Sequence, residues 1–446
     1  MTDRLPPGPY RHITLDDGTQ VPYYIIPFDK RGICEGPETR HHLIDSVKQG
    51  KYTDIFLFSH GWNNDWATAT ARYEGFMNGY MQMRHNHNLP MPEPYRPLLV
   101  GIFWPSTALV FTEEEIGPGF AAGDPTASDE AVAEERFEVR ELAQELEADK
   151  ARRFYELVQK KALTQQEAFE LAEIAVIFYS ADDELGDASA VSAEDILSFW
   201  LETVEPEPNL DDFGVVDSGG VAGPQAAGIG ALFQRLDPRQ VVRTLTVYKM
   251  KDRAGTVGAH GVGPLLRDLL QANDARLHMI GHSYGGKVVL SAVSFGGDLS
   301  RNVESMLLLQ PAVSHLCFAE NIPGTDRAGG YRPALQRVNK PILSTYSDND
   351  FPLHDLFHLA VRRKKDLGEA QIAGPGNEPP NRFAALGGYG PRNCGEELIK
   401  IQDVNQPYNL DLQTPIYGLQ GTGTIKSHGD ISNPSTWWAL YSLVSS

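Results

Sequence analysis

The stretch "RLHMIGHSYGGKVVLSAV" (residues 276–293) places one serine, Ser283, among three glycines at a change of hydrophobic pattern. The apolar residues 277–280 predict a short buried strand, and residues 287–293 predict the first turns of a helix. A chain that reverses within so few residues needs glycines, because they tolerate strained backbone angles and close packing. The stretch therefore predicts a strand, a tight turn and a helix. It fits a nucleophilic serine, and it also fits a glycine-rich connector without chemistry.

Similar strand-like runs recur along the chain, and most are followed by a turn and a helical pattern. They cover residues 54–61, 97–105, 275–283, 303–312, 340–350 and 397–404. Strands that alternate with helices predict an α/β fold, with a mostly parallel sheet and helices on both faces. Residues 10–28, which contain an Asp-Asp-Gly turn, predict a hairpin before this series. Ligands in such folds bind outside the carboxyl ends of the strands.

Residues 107–239 interrupt this order with helical patterns of their own. Because the excursion leaves from the carboxyl end of a strand, we expect it to form a helical cap or lid over the site. Residues 1–106 and 240–446 then make up the core. Within the insertion, helix starts are predicted near Ser128 and Asp129, at Thr164 with Glu167 completing a capping box, and at Ser192 with Asp195.

The acidic excess of the chain is confined to the insertion. The formal net charge is −20, and residues 113–212 hold 28 acidic and 7 basic side chains, against 31 and 32 in the remainder. Such a segment repels phosphate backbones and anionic lipid head groups, which argues against a nucleic-acid partner. A solvated helical face that maintains solubility is the simpler interpretation of these charges.

The cysteines and the apolar runs indicate the cellular compartment of the protein. Three widely spaced cysteines, Cys34, Cys317 and Cys394, fit neither a disulfide framework nor a zinc pattern. The sequence shows no signal peptide and no unbroken run of 18 apolar residues. We therefore expect a cytoplasmic protein without a transmembrane segment. Export without a cleavable signal stays open, and the oligomeric state is not predicted.

Partners for Ser283 occur further along the chain. A serine hydroxyl needs a base within hydrogen-bond distance and a third group that orients the base. The strand-like residues 340–350 end in two carboxylates, Asp348 and Asp350, and a later loop carries His428. The order is thus nucleophile, acid, base.

These motifs carry a family resemblance. "GHSYGG" is the G-x-S-x-G pattern of a nucleophile elbow, and "HGW" at residues 60–62 follows another predicted strand. With the late aspartate and histidine, the chain resembles the α/β-hydrolase superfamily and is most similar to its serine esterases and lipases. The resemblance covers residues 10–105 and 240–446 and implies an α/β-hydrolase fold. It does not cover the acidic insertion, although caps in this superfamily often occupy such a position.

The resemblance also implies roles for individual residues. Ser283 would be the nucleophile and His428 the base. The acid of this family usually follows its strand at the spacing of Asp350, and Asp348 is the alternative acid. His354 and His358, four residues apart, compete with His428 but fit surface or packing positions better.

The "HGW" loop would supply part of an oxyanion hole. By carry-over from the family, its donors are the backbone N–H groups of Trp62 and Tyr284. The longer "HGGG" form of the loop is absent. We expect His60 to brace the loop, His282 to be structural, and the polar residues 63–65 to cap the helix that follows.

Together these features predict a serine hydrolase that cleaves carboxylic esters through an acyl-enzyme, without a metal or an organic cofactor. A small-molecule or lipid ester would be the substrate. Aromatic residues of the insertion could line an acyl pocket, although their helical spacing favours packing. A serine peptidase or amidase of the same fold, and a non-catalytic binding protein that keeps the shape of the elbow, remain alternatives.

Overall fold

A nine-stranded sheet forms the centre of the molecule in a computed structural model of the chain. The structure describes residues 5, 7–14, 18, 20–50, 52–62, 64–106, 139–140, 142–179, 192–202, 236, 238–323, 325–350, 352–356 and 384–445. The strands are β1 (Arg11–Thr14), β2 (Gln20–Pro27), β3 (Asp54–Ser59), β4 (Pro97–Phe103), β5 (Arg276–His282), β6 (Ser305–Leu309), β7 (Ile342–Tyr346), β8 (Glu397–Lys400) and β9 (Ile416–Gln420). Their order in the sheet is β1-β2-β4-β3-β5-β6-β7-β9-β8.

Among the strand pairs in the described part of the chain, β1 with β2 is antiparallel and the others are parallel. The prediction of an α/β class with a mostly parallel sheet is therefore confirmed. The predicted hairpin also forms, with Thr14 opposite Gln20. The sequence did not predict β9, which lies between β7 and β8 and leaves β8 at the edge of the sheet.

Helices cover both faces of the sheet. They are α1 (Pro37–Lys48), α2 (Trp66–Asn86), α3 (Ala148–Val158), α4 (Gln165–Tyr179), α5 (Ala193–Glu202), α6 (Pro238–Thr256), α7 (Gly263–Ala272), α8 (Tyr284–Phe295), α9 (Ala334–Arg337), α10 (Leu386–Tyr389) and α11 (Pro434–Val444). Alternate residues of a strand point to opposite faces. Ile55 and Leu57 of β3 accordingly pack with α1, α7 and α8, whereas Phe56 and Phe58 pack with α2 and α11.

The parallel register brings several strand ends together. β3, β5, β6 and β7 are consecutive neighbours, and β9 follows β7. Because parallel strands end at the same edge of a sheet, the loops that follow them are adjacent. Residues 60–62, 283, 310, 347–350 and 421–428 all lie in these loops.

The helices of the insertion begin where their capping residues predict. Thr164 N–H donates to Glu167 Oε2 (3.0 Å), and Glu167 N–H donates to Thr164 Oγ1 (3.3 Å). Ser192 and Asp195 form the same reciprocal pair, at 3.0 and 3.3 Å. Both predicted capping boxes are confirmed. The helix start expected near Ser128 lies outside the described residues.

The insertion has an apolar cluster of its own, which also includes part of α6. Phe154, Phe178 and Trp200 are buried in this cluster together with Val241 and Leu245 from the first half of α6. The second half of the same helix packs against the sheet through its apolar side chains. Helix α6 therefore joins the insertion to the core, and the predicted boundary between residues 239 and 240 falls in its first turn.

Polar contacts also hold the insertion on the core. Lys249 of α6 pairs with Glu145 of the insertion (3.0 Å), and Arg253 Nη1 donates to the carbonyl of Pro105 after β4 (2.8 Å). A cavity of about 280 Å³ lies at this junction, with Lys30 and Arg31 of the loop after β2 in its wall. Its position places the insertion beside the carboxyl edge of the sheet.

Candidate active site

Ser283 occupies the sharp turn between β5 and α8. Its backbone angles are φ 55° and ψ −124°, in a region that residues other than glycine rarely adopt. Ser283 N–H donates to the carbonyl of Leu309 (3.1 Å), and its own carbonyl accepts from Gly286 (2.9 Å) and Ala312 (3.1 Å). These hydrogen bonds from the end of β6 and the start of α8 hold the strained conformation.

The glycines around Ser283 are required by close backbone contacts. A Cβ atom on Gly285 would lie 2.1 Å from the carbonyl oxygen of Ser59, and one on Gly281 would lie 2.6 Å from that of Gly285. Neither backbone neighbour can move without disturbing β3 or the turn itself. Gly281 and Gly285 of the sequence pattern thus have a steric cause.

His428 forms hydrogen bonds with both predicted triad partners. Its Nε2 lies 2.8 Å from Ser283 Oγ, and its Nδ1 lies 2.8 Å from Asp350 Oδ2. A carboxylate only accepts, so Nδ1 carries the proton that it donates to Asp350, and Nε2 of the neutral ring accepts from the hydroxyl. The side chain of His428 is 25% exposed, whereas Asp350 is fully buried. This geometry allows Nε2 to take a proton from Ser283.

The two candidate acids have different surroundings. Asp350 is fully buried, and its Oδ1 accepts from Leu353 N–H (3.1 Å). Asp348 is exposed, and its backbone N–H donates to Thr422 Oγ1 (3.1 Å). The structure therefore brings Asp350, and not Asp348, to His428.

The loop after β3 lies against Ser283. A Cβ atom on Gly61 would lie 2.7 Å from Ser283 Cβ, so the backbone of the loop approaches the turn very closely. Trp62, half-buried, directly follows Gly61, and Tyr284 begins α8. The backbones of Trp62 and Tyr284, the two predicted oxyanion donors, therefore belong to the two segments that flank Ser283.

His60 braces this loop, as its position in the sequence predicts. Its Nδ1 donates to the carbonyl of Gly61 (2.8 Å), and its ring stacks on Trp104 at 5.5 Å between ring centres. Burial lowers the pKa of His60 to about 4, so the ring is neutral at pH 7.

The residues after the loop have different roles from those predicted. Asp65 caps α2 by accepting from Thr68 N–H (2.7 Å), as expected. The predicted capping role of Asn64 is wrong, because its amide donates to the carbonyls of Gly61 (3.0 Å) and Trp62 (2.7 Å). A side-chain amide can satisfy two carbonyls of a tight loop at once, and Asn64 does so here. Asn63 lies outside the described residues.

Two buried side chains hold the loop that carries His428. His282 Nε2 donates to the carbonyl of His428 (2.9 Å), and Gln310 Nε2 donates to the carbonyl of Ser427 (3.0 Å). Burial keeps the pKa of His282 well below its usual range, so this structural ring is neutral. Gln310 was not among the residues predicted from the sequence. The one feature of the sequence that could have identified it is that a polar residue directly follows β6.

The rival histidine His354 does not join the triad. Its ring stacks on Tyr389, with 4.3 Å between the ring centres, and its carbonyl accepts from the Tyr389 hydroxyl (3.0 Å). This is the packing role expected from the sequence. His358 lies outside the described residues.

Comparisons of the chain with protein-family models, curated proteins and solved structures found no match. Within the described ranges, no cluster of three or more histidine, cysteine, aspartate or glutamate side chains could hold a metal ion. None of the helices in the same ranges is long and apolar enough to cross a bilayer.

Proposed function

We propose that this protein is a serine hydrolase of the α/β-hydrolase type that cleaves carboxylic esters through an acyl-enzyme. The observation that carries the proposal is the continuous hydrogen-bonded array from Ser283 Oγ through His428 to Asp350, with both distances at 2.8 Å. The left-handed backbone of Ser283, at the carboxyl edge of a parallel sheet, is the second support.

The first half of the reaction forms the acyl-enzyme. His428 Nε2 takes the hydroxyl proton of Ser283 while Oγ bonds to the ester carbonyl carbon. The carbonyl oxygen becomes an oxyanion, and the N–H groups of Trp62 and Tyr284 stabilise it. Each such donor typically contributes about 3 kcal/mol to the transition state. His428 then returns the proton to the leaving alkoxide as the carbon–oxygen bond breaks.

Water completes the cycle. His428 removes a proton from a water molecule, whose oxygen attacks the acyl carbon, and a second oxyanion forms in the same position. Collapse of this intermediate breaks the bond to Oγ, returns the proton to Ser283 and releases the carboxylic acid. Asp350 stays ionised throughout, because its task is to orient the ring and to stabilise the imidazolium.

In the same proposal, residues 107–239 act as a cap that limits which esters reach Ser283. The contacts of Lys249 and Arg253 support it, because they hold the insertion beside the carboxyl edge of the sheet. The buried aromatic side chains Phe154, Phe178 and Trp200 belong to the packing of the insertion and not to an open acyl pocket.

A fluorophosphonate probe and nitrophenyl esters of graded chain length test the function. We expect the wild-type protein to be labelled and to hydrolyse some of the esters. Ser283→Ala should abolish labelling and lower kcat about a million-fold. Ser344→Ala is the matched control, because Ser344 is a fully buried serine inside β7, away from the triad.

Absence of both labelling and ester turnover in the wild-type protein would overturn the enzyme proposal in favour of a binding protein. Labelling combined with cleavage of aminoacyl amides, and of no ester, would replace the esterase by an amidase.

A further inference from the structure

A second residue beside the triad has a strained backbone. The non-glycine residues with positive φ in the described part of the chain are Asn88, Ser283, Gln310, Asn393 and Asn405. Asparagine tolerates this region because its short polar side chain can hydrogen-bond locally. Ser283 and Gln310 have no such preference, and Gln310 has a φ of 44°. Strain of this kind persists only where the surroundings impose it, and it is concentrated at functional sites.

The surroundings of Gln310 impose this conformation. Its backbone N–H donates to Thr345 Oγ1 on the neighbouring β7 (3.0 Å). Gly387 packs directly on its backbone, because a Cβ atom at Gly387 would lie 2.4 Å from the carbonyl carbon of Gln310. The side chain is fully buried and points toward the loops that carry the acid and the base.

The amide of Gln310 contacts both of these loops. Nε2 donates to Asp350 Oδ2 (2.7 Å) and to the carbonyl of Ser427 (3.0 Å), the residue before His428. An amide nitrogen has two hydrogens, so each bond uses one of them. Both partners are acceptors, which fixes the nitrogen, and not the oxygen, toward the triad.

We propose that Gln310 is a positioning residue that fixes the approach of His428 to Asp350; this inference rests on the proposed function. Oδ2 of Asp350 accepts from His428 and from Gln310, and Oδ1 accepts from Leu353 N–H. Three donors in fixed directions determine the rotation of the carboxylate. The bond to Ser427 places the backbone of the base from the same amide.

An amide suits this task better than a carboxylate or an apolar group. A carboxylate at the same place would face the charge of Asp350 at about 3 Å, where two negative charges repel strongly. An apolar side chain of the same length would leave both acceptors without that donor. The chemistry of the side chain, and not only its volume, is therefore decisive.

Two variants test this inference against a matched control. Gln310→Met keeps the length of the side chain and removes both hydrogens, so kcat should fall about 10- to 100-fold with little change in KM. Asn349→Ala is the control, because the Asn349 amide ties the loop after β9 through the carbonyls of Thr422 and Ile425 (both 2.8 Å). It should lower thermal stability while kcat stays within about threefold.

Gln310→Glu provides a readout that a purely structural role would not affect. When the introduced carboxyl is protonated, it can donate to Asp350 as the amide does. The ratio of kcat/KM for Gln310→Glu to that for Gln310→Met should therefore rise as the pH is lowered. A ratio that does not change with pH would overturn the positioning role.

Proton NMR separates this inference from the proposed function, because it needs no turnover. The Nδ1 proton of His428, hydrogen-bonded to Asp350, should give a low-field resonance that shifts or broadens in Gln310→Met and not in Asn349→Ala. An unchanged resonance in Gln310→Met would overturn the inference even in an active enzyme. The wild-type protein could lack hydrolase activity while Gln310→Met still changed the resonance selectively. The positioning role of Gln310 would then stand, and the proposed function would be overturned.

Discussion

At the scale of single residues, burial and position distinguish groups that share the same chemistry. The chain contains a second array of serine, histidine and aspartate near the amino-terminal ends of β3, β5 and β6. His278 Nδ1 lies 2.7 Å from Ser305 Oγ, and its Nε2 lies 3.1 Å from Asp54 Oδ1. Asp54 and His278 are fully buried, and Ser305 is 1% exposed. An ester cannot reach this array, so its residues stabilise the fold and do not catalyse.

The charge of Asp54 is central to that array. Burial alone would raise the pKa of Asp54, but hydrogen bonds from His278 and Thr53 and the charge of Arg276 together lower it. Its stabilising contribution is therefore present above the unfolded-state pKa and is lost as the pH falls toward the lower folded-state value.

Substitutions in the buried array should affect stability and leave catalysis intact. Asp54→Asn should lower the free energy of unfolding by about 3 kcal/mol, because Arg276 loses its partner at 2.6 Å. Ser305→Ala should remain fully labelled by a fluorophosphonate. Urea denaturation and probe labelling measure the two effects. Loss of labelling in a folded Ser305→Ala protein would contradict this assignment.

The two candidate acids give a second prediction at this scale. Asp350→Asn should lower kcat/KM about 10⁴-fold, because the amide no longer holds His428 in the tautomer that accepts from Ser283. Asp348→Asn changes an exposed side chain, so kcat/KM should stay within about threefold. Steady-state kinetics with one nitrophenyl ester decides which aspartate is the acid, provided that the variants have equal thermal stability. The reverse ranking would identify Asp348 as the acid.

At the scale of helices and strands, the periodicity of the sequence predicted most of the core. The hairpin, the parallel strands from β3 to β8 and the two capping boxes follow from local patterns. Strand β9 was missed because its five residues include Gly418 and have no alternation to recognise. Gln310 was missed because its role depends on neighbouring loops that meet only in the folded sheet.

Helix α2 offers a test of packing on one element. Gly75 is exposed, and a Cβ atom there would contact nothing, whereas one on Gly79 would lie 2.0 Å from the ring of Trp437. Gly75→Ala should stabilise the protein by about 0.5–1 kcal/mol through helix propensity. Gly79→Ala should destabilise it, because the indole must move away from α2. Thermal denaturation of both variants measures the difference, and a stabilised Gly79→Ala would show that α11 does not pack here.

At the scale of the whole molecule, neutral buried histidines make stability depend on pH. Burial, with the nearby charge of Arg392, lowers the pKa of His315 to about 4. In the described part of the chain, neither ring nitrogen of His315 has a hydrogen-bond partner. The unfolded chain binds a proton near pH 6.5 that the folded state does not bind. Stability should therefore fall as the pH drops from about 6.5 to 4.

His315→Phe isolates this contribution without touching the triad. Each such proton contributes about 1.4 kcal/mol per pH unit to the slope of the unfolding free energy. We expect the variant to have a slope smaller by about one proton between pH 6.5 and 4. Urea denaturation at several pH values measures it. An unchanged slope would mean that His315 is protonated in the folded state.

Strand β9 is the last strand in sequence but lies inside the sheet, between β7 and β8, and this affects the kinetics of folding. His428 and α11 both follow β9 in the chain, and α11 packs on α2. Tyr441 Oη of α11 donates to the carbonyl of Pro90 (2.9 Å), 351 residues earlier in the sequence. Contacts so distant in sequence form late in folding, since a large loop must close first. Refolding from urea should restore far-UV circular dichroism before it restores fluorophosphonate labelling. A protein with formed helices and strands, but with His428 not yet in place, would then be a distinct folding intermediate that is prone to aggregate.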